Sequence, residues 1–488
     1  MKFLLKKTAL FMSFVLFLSV NAAGQTESES HNYNADDSLF ENDTFFTQHG
    51  ERHFVTALTG MFVPTVVISL WNRYASGSGW AKVDYKSNFD DIINGTVEWE
   101  WDTDWYWTNF VLHPYQGQLA YSAFRSSNFN QAESLLAATF SSLVWETMCE
   151  NNTPSLNDMV YTSVGAWPMG EMLHRLAFEA DEAAGPVRFL ITPMRTWTEF
   201  LTGEKPYGTH GNIKEFSVYT GFGCAYGKNI PEYSYSADSE LYPLYGNFGF
   251  NVVYGDAYAR TSNDPFSCFT LSMGGSMGKG CGAGYKDLEK DVMHDLYIFS
   301  DGFVFSRDIS KSENRDTTAG FIFDYDFLWH SFMNFSSLAP GFGIKQRILS
   351  ENCTVEWEAH ADAVLLATSD FWYTRRRMIS EEKVFKAYNY SVGAELVQAV
   401  KIKPVKGIRF SVSNHVYALY EFSDDQYEIK PGFSFFDYAK VTAELPLSDS
   451  VYFGIENTLY AKCGFYKEYP SIFSFMCSGG AFIRYVIK

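Results

Sequence analysis

His113, Glu146, Asp158, Glu171, His174 and Arg175 stand within roughly sixty positions that are mostly apolar or small. Glu146 is the sharpest case, set in the middle of LVWETM. A carboxylate taken out of water without a partner costs several kcal/mol, so such a residue needs a cation, a hydrogen-bond donor or a proton. His, Glu and Asp together are the residue types of acid–base or metal chemistry, which makes His113, Glu146, Asp158, Glu171 and His174 the candidate catalytic residues. The plainer reading is a polar network bracing helices. Asn109, Tyr115, Arg125 and Arg175 would be its members, Asp158 would sit at a helix start, and Glu171–Arg175 would be an i,i+4 ion pair. No HExxH and no GxSxG is present, so the bracing role is favoured and neither a cofactor nor a metal is expected. Ser413 and His415 share one face of a later strand-like run, but without such a motif they are weak candidates for a Ser/His pair.

The elements that must position these residues come in two kinds. Residues 51–205 carry helical signals. Glu133 to Glu150 is apolar nearly all round, as in a buried helix. Ser155 with Asp158 three residues on resembles a capping box, and Gly185-Pro186 is a stop. From residue 210 to 488 the period changes to two. In Val355–Leu365 the odd positions are Val, Trp, Ala, Ala, Ala, Leu, and the even positions are Glu356, Glu358, His360 and Asp362. Such alternation is beyond a helix. About twelve runs of this kind follow one another, near 215–227, 244–258, 266–278, 292–306, 318–329, 337–349, 353–367, 383–401, 404–422, 432–446, 450–466 and 472–488. Tight links alternate with longer loops, the pattern of an outer-membrane barrel. On that reading Glu356, Glu358, His360 and Asp362 face the lumen, together with Asp324, Asp326, Glu395, Glu444 and Glu456, and basic residues of a plug would be their partners. Arg375-Arg376-Arg377 reads as a solvated charge run in a long loop.

The N-terminus and the composition agree with this location. Lys2, Lys6 and Lys7 precede an apolar stretch, Thr8 to Val20, with small residues at Ala22 and Ala23, so residues 1–23 are expected to be a cleaved signal peptide. Removing them takes away three lysines and no acid, which moves the net charge from −19 to −22. A nucleic-acid partner is excluded by that sign. Residues 24–50 are polar, acidic and aperiodic, a flexible leader. Phe54 to Trp71 is eighteen residues without a charge, long enough to span a bilayer, but Gly60 and Pro64 fit a helix buried inside protein better. The seven cysteines lack regular spacing and read mostly as small apolar residues. Aromatic residues make up 18% of the chain and charged residues only 19%. A barrel uses rings as girdles at both membrane interfaces while its lumen stays polar.

The stretch WEWDTDWYWTNFVLHPYQGQLAYSAFRSSNF, followed by VWETMCENNTPSLNDMVYTSVGAWPMGEMLHRLA, resembles an uncharacterised bacterial family catalogued as domain of unknown function 3943 (DUF3943). The matching residues are Asp102, Asn109, His113-Pro114-Tyr115, Gly117, Arg125-Ser126, Trp145-Glu146, Pro154-Ser155, Asp158 and Gly170-Glu171. KAYNYSVG, Lys386 to Gly393, is similar to a Tyr-rich barrel segment of that family. The resemblance implies a place at the outer membrane and no established activity. The expected molecule is therefore mainly β with an α-helical N-terminal part: an antiparallel transmembrane β-barrel of about twelve strands with a helical plug or packing segment. Its expected role is non-enzymatic, in envelope integrity, transport or binding. The alternative is a lipid- or glycan-modifying enzyme using His113, Glu146, Asp158 and Glu171. Its expected partners are outer-membrane lipid, the barrel-assembly machinery and periplasmic chaperones.

Overall fold

The computed structural model describes residues 43–102, 104–181, 185–232, 237–258, 261–283, 292–330, 333–375, 388–422 and 432–487. The expected signal peptide, most of the acidic leader, and Arg376-Arg377 lie outside the described residues. Twelve strands form one closed antiparallel barrel: β1 (Ile213–Pro231), β2 (Asp238–Tyr254), β3 (Phe269–Ala283), β4 (Val292–Ser312), β5 (Arg315–His330), β6 (Asn334–Leu349), β7 (Cys353–Asp370), β8 (Tyr388–Pro404), β9 (Arg409–Glu421), β10 (Gly432–Pro446), β11 (Val451–Tyr466) and β12 (Ile472–Val486). Each strand pairs with its sequence neighbours, and β1 closes on β12 from Ser217↔Val486 to Pro231↔Ile472. Closure removes the unpaired edges that an open sheet would expose. Every one of the twelve alternating runs has its strand.

Register fixes which face each side chain takes, because residues directly opposite in a ladder share a face. Asp316, Thr318, Ile322, Asp324, Asp326 and Leu328 of β5 point into the barrel with Arg347, Lys345, Gly341, Ala339, Ser337 and Phe335 of β6. The outward set is apolar and open: Phe222, Phe410, Val412, Phe433, Phe435, Phe453, Ile455 and Phe465 are all more than 40% exposed. Inside, side chains from strands half the ring apart meet. Phe299 of β4 lies 4.9 Å from Tyr438 of β10, and His330 of β5 lies 5.4 Å from Tyr460 of β11, between ring centroids. Phe335, Tyr417, Leu419, Phe436 and Met476 join the same buried cluster. The expectation of a purely polar lumen is corrected here. Rings fill the centre because their bulk lets opposite walls touch, and they pack beside the polar groups.

The chain divides into two compact units. The barrel unit also takes residues 98–114 and 154–168, and the remaining helical residues form the other. In the helical unit lie α1 (Phe54–Leu70), α2 (Tyr85–Asn94), α4 (Gln131–Val144), α7 (Gly185–Ile191), α8 (Pro193–Thr202) and most of α3 (His113–Arg125) and α6 (Ala166–Glu179); α5 (Leu156–Val164) belongs to the barrel unit. The burial expected for α1 is not observed. Its small side covers Ala57, Gly60, Met61, Thr65 and Ser69, and a Cβ on Gly60 would come within 3.0 Å of Ala123 and 3.3 Å of Trp197. Val55, Val63, Val66, Val67 and Leu70 stay exposed on the other side. The helix runs through Pro64, and the helical stretch Phe54–Ser76 that it opens is, by length and composition, able to cross a membrane. Instead of the all-round burial expected of Glu133 to Glu150, α4 repeats the inversion. Ser134, Ala137, Ala138, Ser141 and Ser142 are buried, while Leu136, Phe140 and Leu143 are exposed. Small residues permit close helix approach, and large apolar ones are left facing out.

Candidate functional site

The sequence candidates are split between the two units. In the helical unit, Glu171 is fully buried on α6 and takes a paired contact from Arg125, Nε to Oε2 at 2.8 Å and Nη2 to Oε1 at 3.1 Å. Tyr121 donates its hydroxyl to Oε2 at 2.8 Å, and Arg175 reaches Oε1 at 3.1 Å from one turn along the same helix. Gly170 makes the packing possible, since a Cβ there would meet the Tyr121 ring at 2.5 Å. Burial pushes the Glu171 carboxyl up, but the two guanidinium groups override it and hold the group well below the usual carboxylate range. A carboxylate held charged by two arginines is braced rather than poised to exchange a proton. His174, on the same helix, is buried edge-on to Phe178 and is pushed down, first by burial and then by Arg125. Glu146 is buried on the turn Trp145–Cys149 that follows α4. Tyr115 stands 38% exposed rather than in this network.

In the barrel unit, Ser155 caps α5 by accepting from the Asp158 backbone N–H at 3.3 Å. The Asp158 carboxylate accepts from Asn157 Nδ2 at 2.8 Å, and the His113 ring nitrogen Nε2 lies 3.6 Å from its other oxygen. Asn157 Oδ1 also accepts from the backbone N–H of Asp102 at 2.7 Å, which ties residues 98–114 to the start of α5. Burial lowers the His113 pKa to about 4, so the ring beside Asp158 is neutral at pH 7. The unfolded form takes up a proton below the ordinary histidine value of 6.5, whereas the native ring does so only near 4. Stability attributable to His113 is therefore fully present above pH 6.5 and lost as pH falls toward 4, by up to about 1.4 kcal/mol per pH unit. A His113→Asn variant is expected to flatten that part of the pH–stability curve, measured by urea unfolding between pH 4 and 7.

Residues 98–114 and 154–168 lie on the outer wall of strands β5 to β8. The outward ring of Phe327 stacks on Tyr106 at 5.4 Å, and that of Tyr388 meets Phe110 at 5.2 Å. The outward Tyr325 donates to the Phe110 carbonyl at 2.5 Å. Asn109 Nδ2 donates to the hydroxyls of Tyr388 and Tyr390 at 3.0 and 3.2 Å, which in turn donate to the carbonyls of Asp104 and Asp102 at 2.9 Å each. Tyr161 reaches Ser336 at 3.1 Å, and Trp167 meets Phe323 at 5.9 Å. The helical plug expected from the sequence is corrected for these segments: they clad the barrel from outside. Tyr325, Tyr388 and Tyr390 explain why. Their hydroxyls point away from the lumen, where hydrocarbon would offer no acceptor, and the clad segment supplies backbone carbonyls.

The lumen holds the second cluster. Glu358 pairs with Lys345 at 2.8 Å, Glu356 with Lys403 at 2.7 Å, Glu456 with Lys440 at 2.8 Å and Glu444 with Arg484 at 2.6 Å. The barrel's own strands, rather than a plug, supply these cations. Around them Asp324, Asp326, Asp362 and Glu395 are all at least 96% buried. His360 Nδ1 meets Asp362 at 2.6 Å and Asp324 at 3.7 Å. His415 Nδ1 meets Asp326 at 3.1 Å and Glu395 at 3.2 Å, and Tyr417 donates to the same Asp326 oxygen. Gly341 leaves the space, since a Cβ there would fall 1.9 Å from Asp362 Oδ1. No hydrogen bond joins Ser413 to His415 among the described residues; the ring turns to the carboxylates instead. Period-two alternation put these acids inside, but their meeting across β5, β7, β8 and β9 depends on register and closure. Among the described residues, Cys149, Cys224, Cys353, Cys463 and Cys477 are free thiols.

Fold and site together define a closed twelve-stranded antiparallel barrel with a polar cluster in its lumen and a clad outer wall. Residues 98–190, the segment that carried the resemblance, match the family model described as Domain of unknown function (DUF3943). No protein of curated function matches. Among solved structures the chain is similar to an outer membrane channel from Pseudomonas putida F1, at 9% identity over 57% of this chain and 96% of that one, with a TM-score of 0.32. It is also similar to the outer membrane protease OmpT from Escherichia coli, at 7% identity over 56% and 97%, with a TM-score of 0.23. A third likeness is to the Salmonella typhi outer membrane phospholipase dimer with bound calcium, at 8% identity over 54% and 90%, with a TM-score of 0.23. Scores this low carry no argument about activity.

Proposed function

We propose that this chain is an integral outer-membrane protein whose barrel is closed rather than an open pore, with a non-enzymatic role in binding and envelope integrity. The contact of Phe299 with Tyr438, from strands half the ring apart, is the observation that carries the closed lumen. The exposed apolar outward face of the strands supports lipid as the surrounding partner, because so large an exposed apolar surface does not persist in water. Exposed Val67 at 59% and Leu136 at 68% extend the same argument to the helical unit. On this reading delivery runs through a cleaved signal peptide, periplasmic chaperones and the barrel-assembly machinery.

The reading has two measurements. The protein is expected in the outer-membrane fraction, migrating faster unheated than boiled on a denaturing gel; a soluble, unshifted protein overturns it. In planar bilayers the purified protein is expected to give no stepwise conductance, whereas a Phe299→Ala, Tyr438→Ala double variant, which removes both touching rings, is expected to give some. Porin-like steps from the unaltered protein would overturn the closed lumen.

A further inference from the structure

The carboxylates inside the barrel outnumber the cations that face them. Among the described residues, Asp324, Asp326, Asp362 and Glu395 share one buried region and pair with the imidazoles of His360 and His415 alone. Lys345, also in the lumen, is already held between Asp301 and Glu358. Even with both imidazoles protonated, four carboxylates against two cations leave an uncompensated surplus of negative charge. Such a surplus is not sustained in a buried site without a counter-charge or bound protons. Second, several oxygens in the cluster have no hydrogen-bond partner: Asp324 Oδ2, Asp326 Oδ1, Asp362 Oδ1 and Glu395 Oε2. Asp324 is the central case. It is 1% exposed, and among the described residues its one ion-pair contact is with His360 at 3.7 Å. These acceptors need something to coordinate.

We propose that the lumen binds a divalent transition-metal cation between Asp324, Asp326, Glu395 and His415. One ligand atom from each of these residues falls within 4.8 Å of all the others. Bonds of about 2.0–2.2 Å put the ligands of a tetrahedral ion about 3.3–3.6 Å apart, so the set encloses an ion after the side chains close inward. Three carboxylates and one imidazole form a mixed oxygen and nitrogen donor set, which suits manganese, iron or zinc better than a thiolate-selecting or purely oxygen-selecting ion. Tyr417 donates to Asp326 and so orients it, as groups behind metal ligands commonly do. Asp324 is shared with a second close set, Asp324, His360 and Asp362, where an imidazole and two carboxylates also converge. Sequence alone conceals the site, because its ligands come from β5, β8 and β9 and match no contiguous motif.

The inference stands apart from the membrane reading, since a metal can bind a folded barrel that conducts or one that does not. Full-length protein, purified in detergent and stripped with chelator, is dialysed against Mn²⁺ or Zn²⁺, and retained metal per chain is measured by mass spectrometry. About one ion per chain is expected, with a rise in melting temperature on adding metal. An Asp326→Asn, Glu395→Gln double variant is expected to weaken retention at least tenfold and to abolish the melting shift, while Asp449→Asn in an exposed turn leaves both unchanged. Heat-modifiable migration shows that each variant is folded. If the double variant does not fold, Glu395→Gln alone is expected to reduce the metal-dependent melting shift. No retention by the folded unaltered protein, or equal retention by the folded variants, overturns the site and assigns the surplus charge to bound protons. Retention of Ca²⁺ in preference to Mn²⁺ and Zn²⁺ overturns the transition-metal assignment.

Discussion

Replacing Glu171 by alanine is expected to destabilise the helical unit by about 3–5 kcal/mol, the range for removing one member of a buried ion pair. The fully buried carboxylate is the common partner of Arg125, Arg175 and Tyr121. Its loss leaves two guanidinium groups in a space prepared for a negative charge. Thermal unfolding and limited proteolysis of residues 115–202 would register the effect, and a change under 1 kcal/mol would refute it. The same pair sets a pH dependence. The native carboxyl is held below the ordinary range by its arginines, against the push of burial, whereas the unfolded one titrates near the ordinary glutamate value of 4.5. Stability from Glu171 is therefore fully present above pH 4.5 and falls as acid is added below it, by up to about 1.4 kcal/mol per pH unit. The alanine variant is expected to lose this slope.

Phe110→Ala is expected to release the cladding from the barrel wall. Its ring is fully buried, packed on Tyr106 at 4.8 Å, Tyr161 at 4.6 Å and Tyr388 at 5.2 Å. Deleting a buried phenylalanine costs about 3–5 kcal/mol, and here the loss falls on one docked segment rather than on the ladder hydrogen bonds of the barrel. Protease cutting within residues 98–114 is expected to rise at least tenfold, while heat-modifiable migration of the barrel persists. Equal protection of the variant and the unaltered protein would sink the cladding assignment.

The twelve strands were legible in the sequence because alternation is local. Each side chain of Val355–Leu365 takes its face from the backbone period, whatever its neighbours do. The capped start of α5 and the i,i+4 pair of Glu171 with Arg175 were legible for the same reason, since both interactions lie within one helical turn. The inward faces of α1 and α4 were not. An apolar run tells that a helix is shielded from water, but not whether protein or lipid shields it, and here Ala57, Gly60 and Ser141 turn inward while Val67 and Phe140 turn out.

The role of the aromatic fraction also needed the tertiary structure. Some rings face outward, Phe299 and Tyr438 meet across the lumen, and Tyr388 and Tyr390 hold residues 98–114 against the outer wall. By itself the sequence determined the barrel, its strands as about twelve, and the acidic residues that line its inner face. Only the tertiary structure decided which carboxylates meet inside, that Arg125 and Arg175 neutralise Glu171, and that His113 lies beside Asp158 on the cladding. The reason is physical: faces follow from neighbours two or four residues away, whereas register, ring closure and docking join residues hundreds of positions apart.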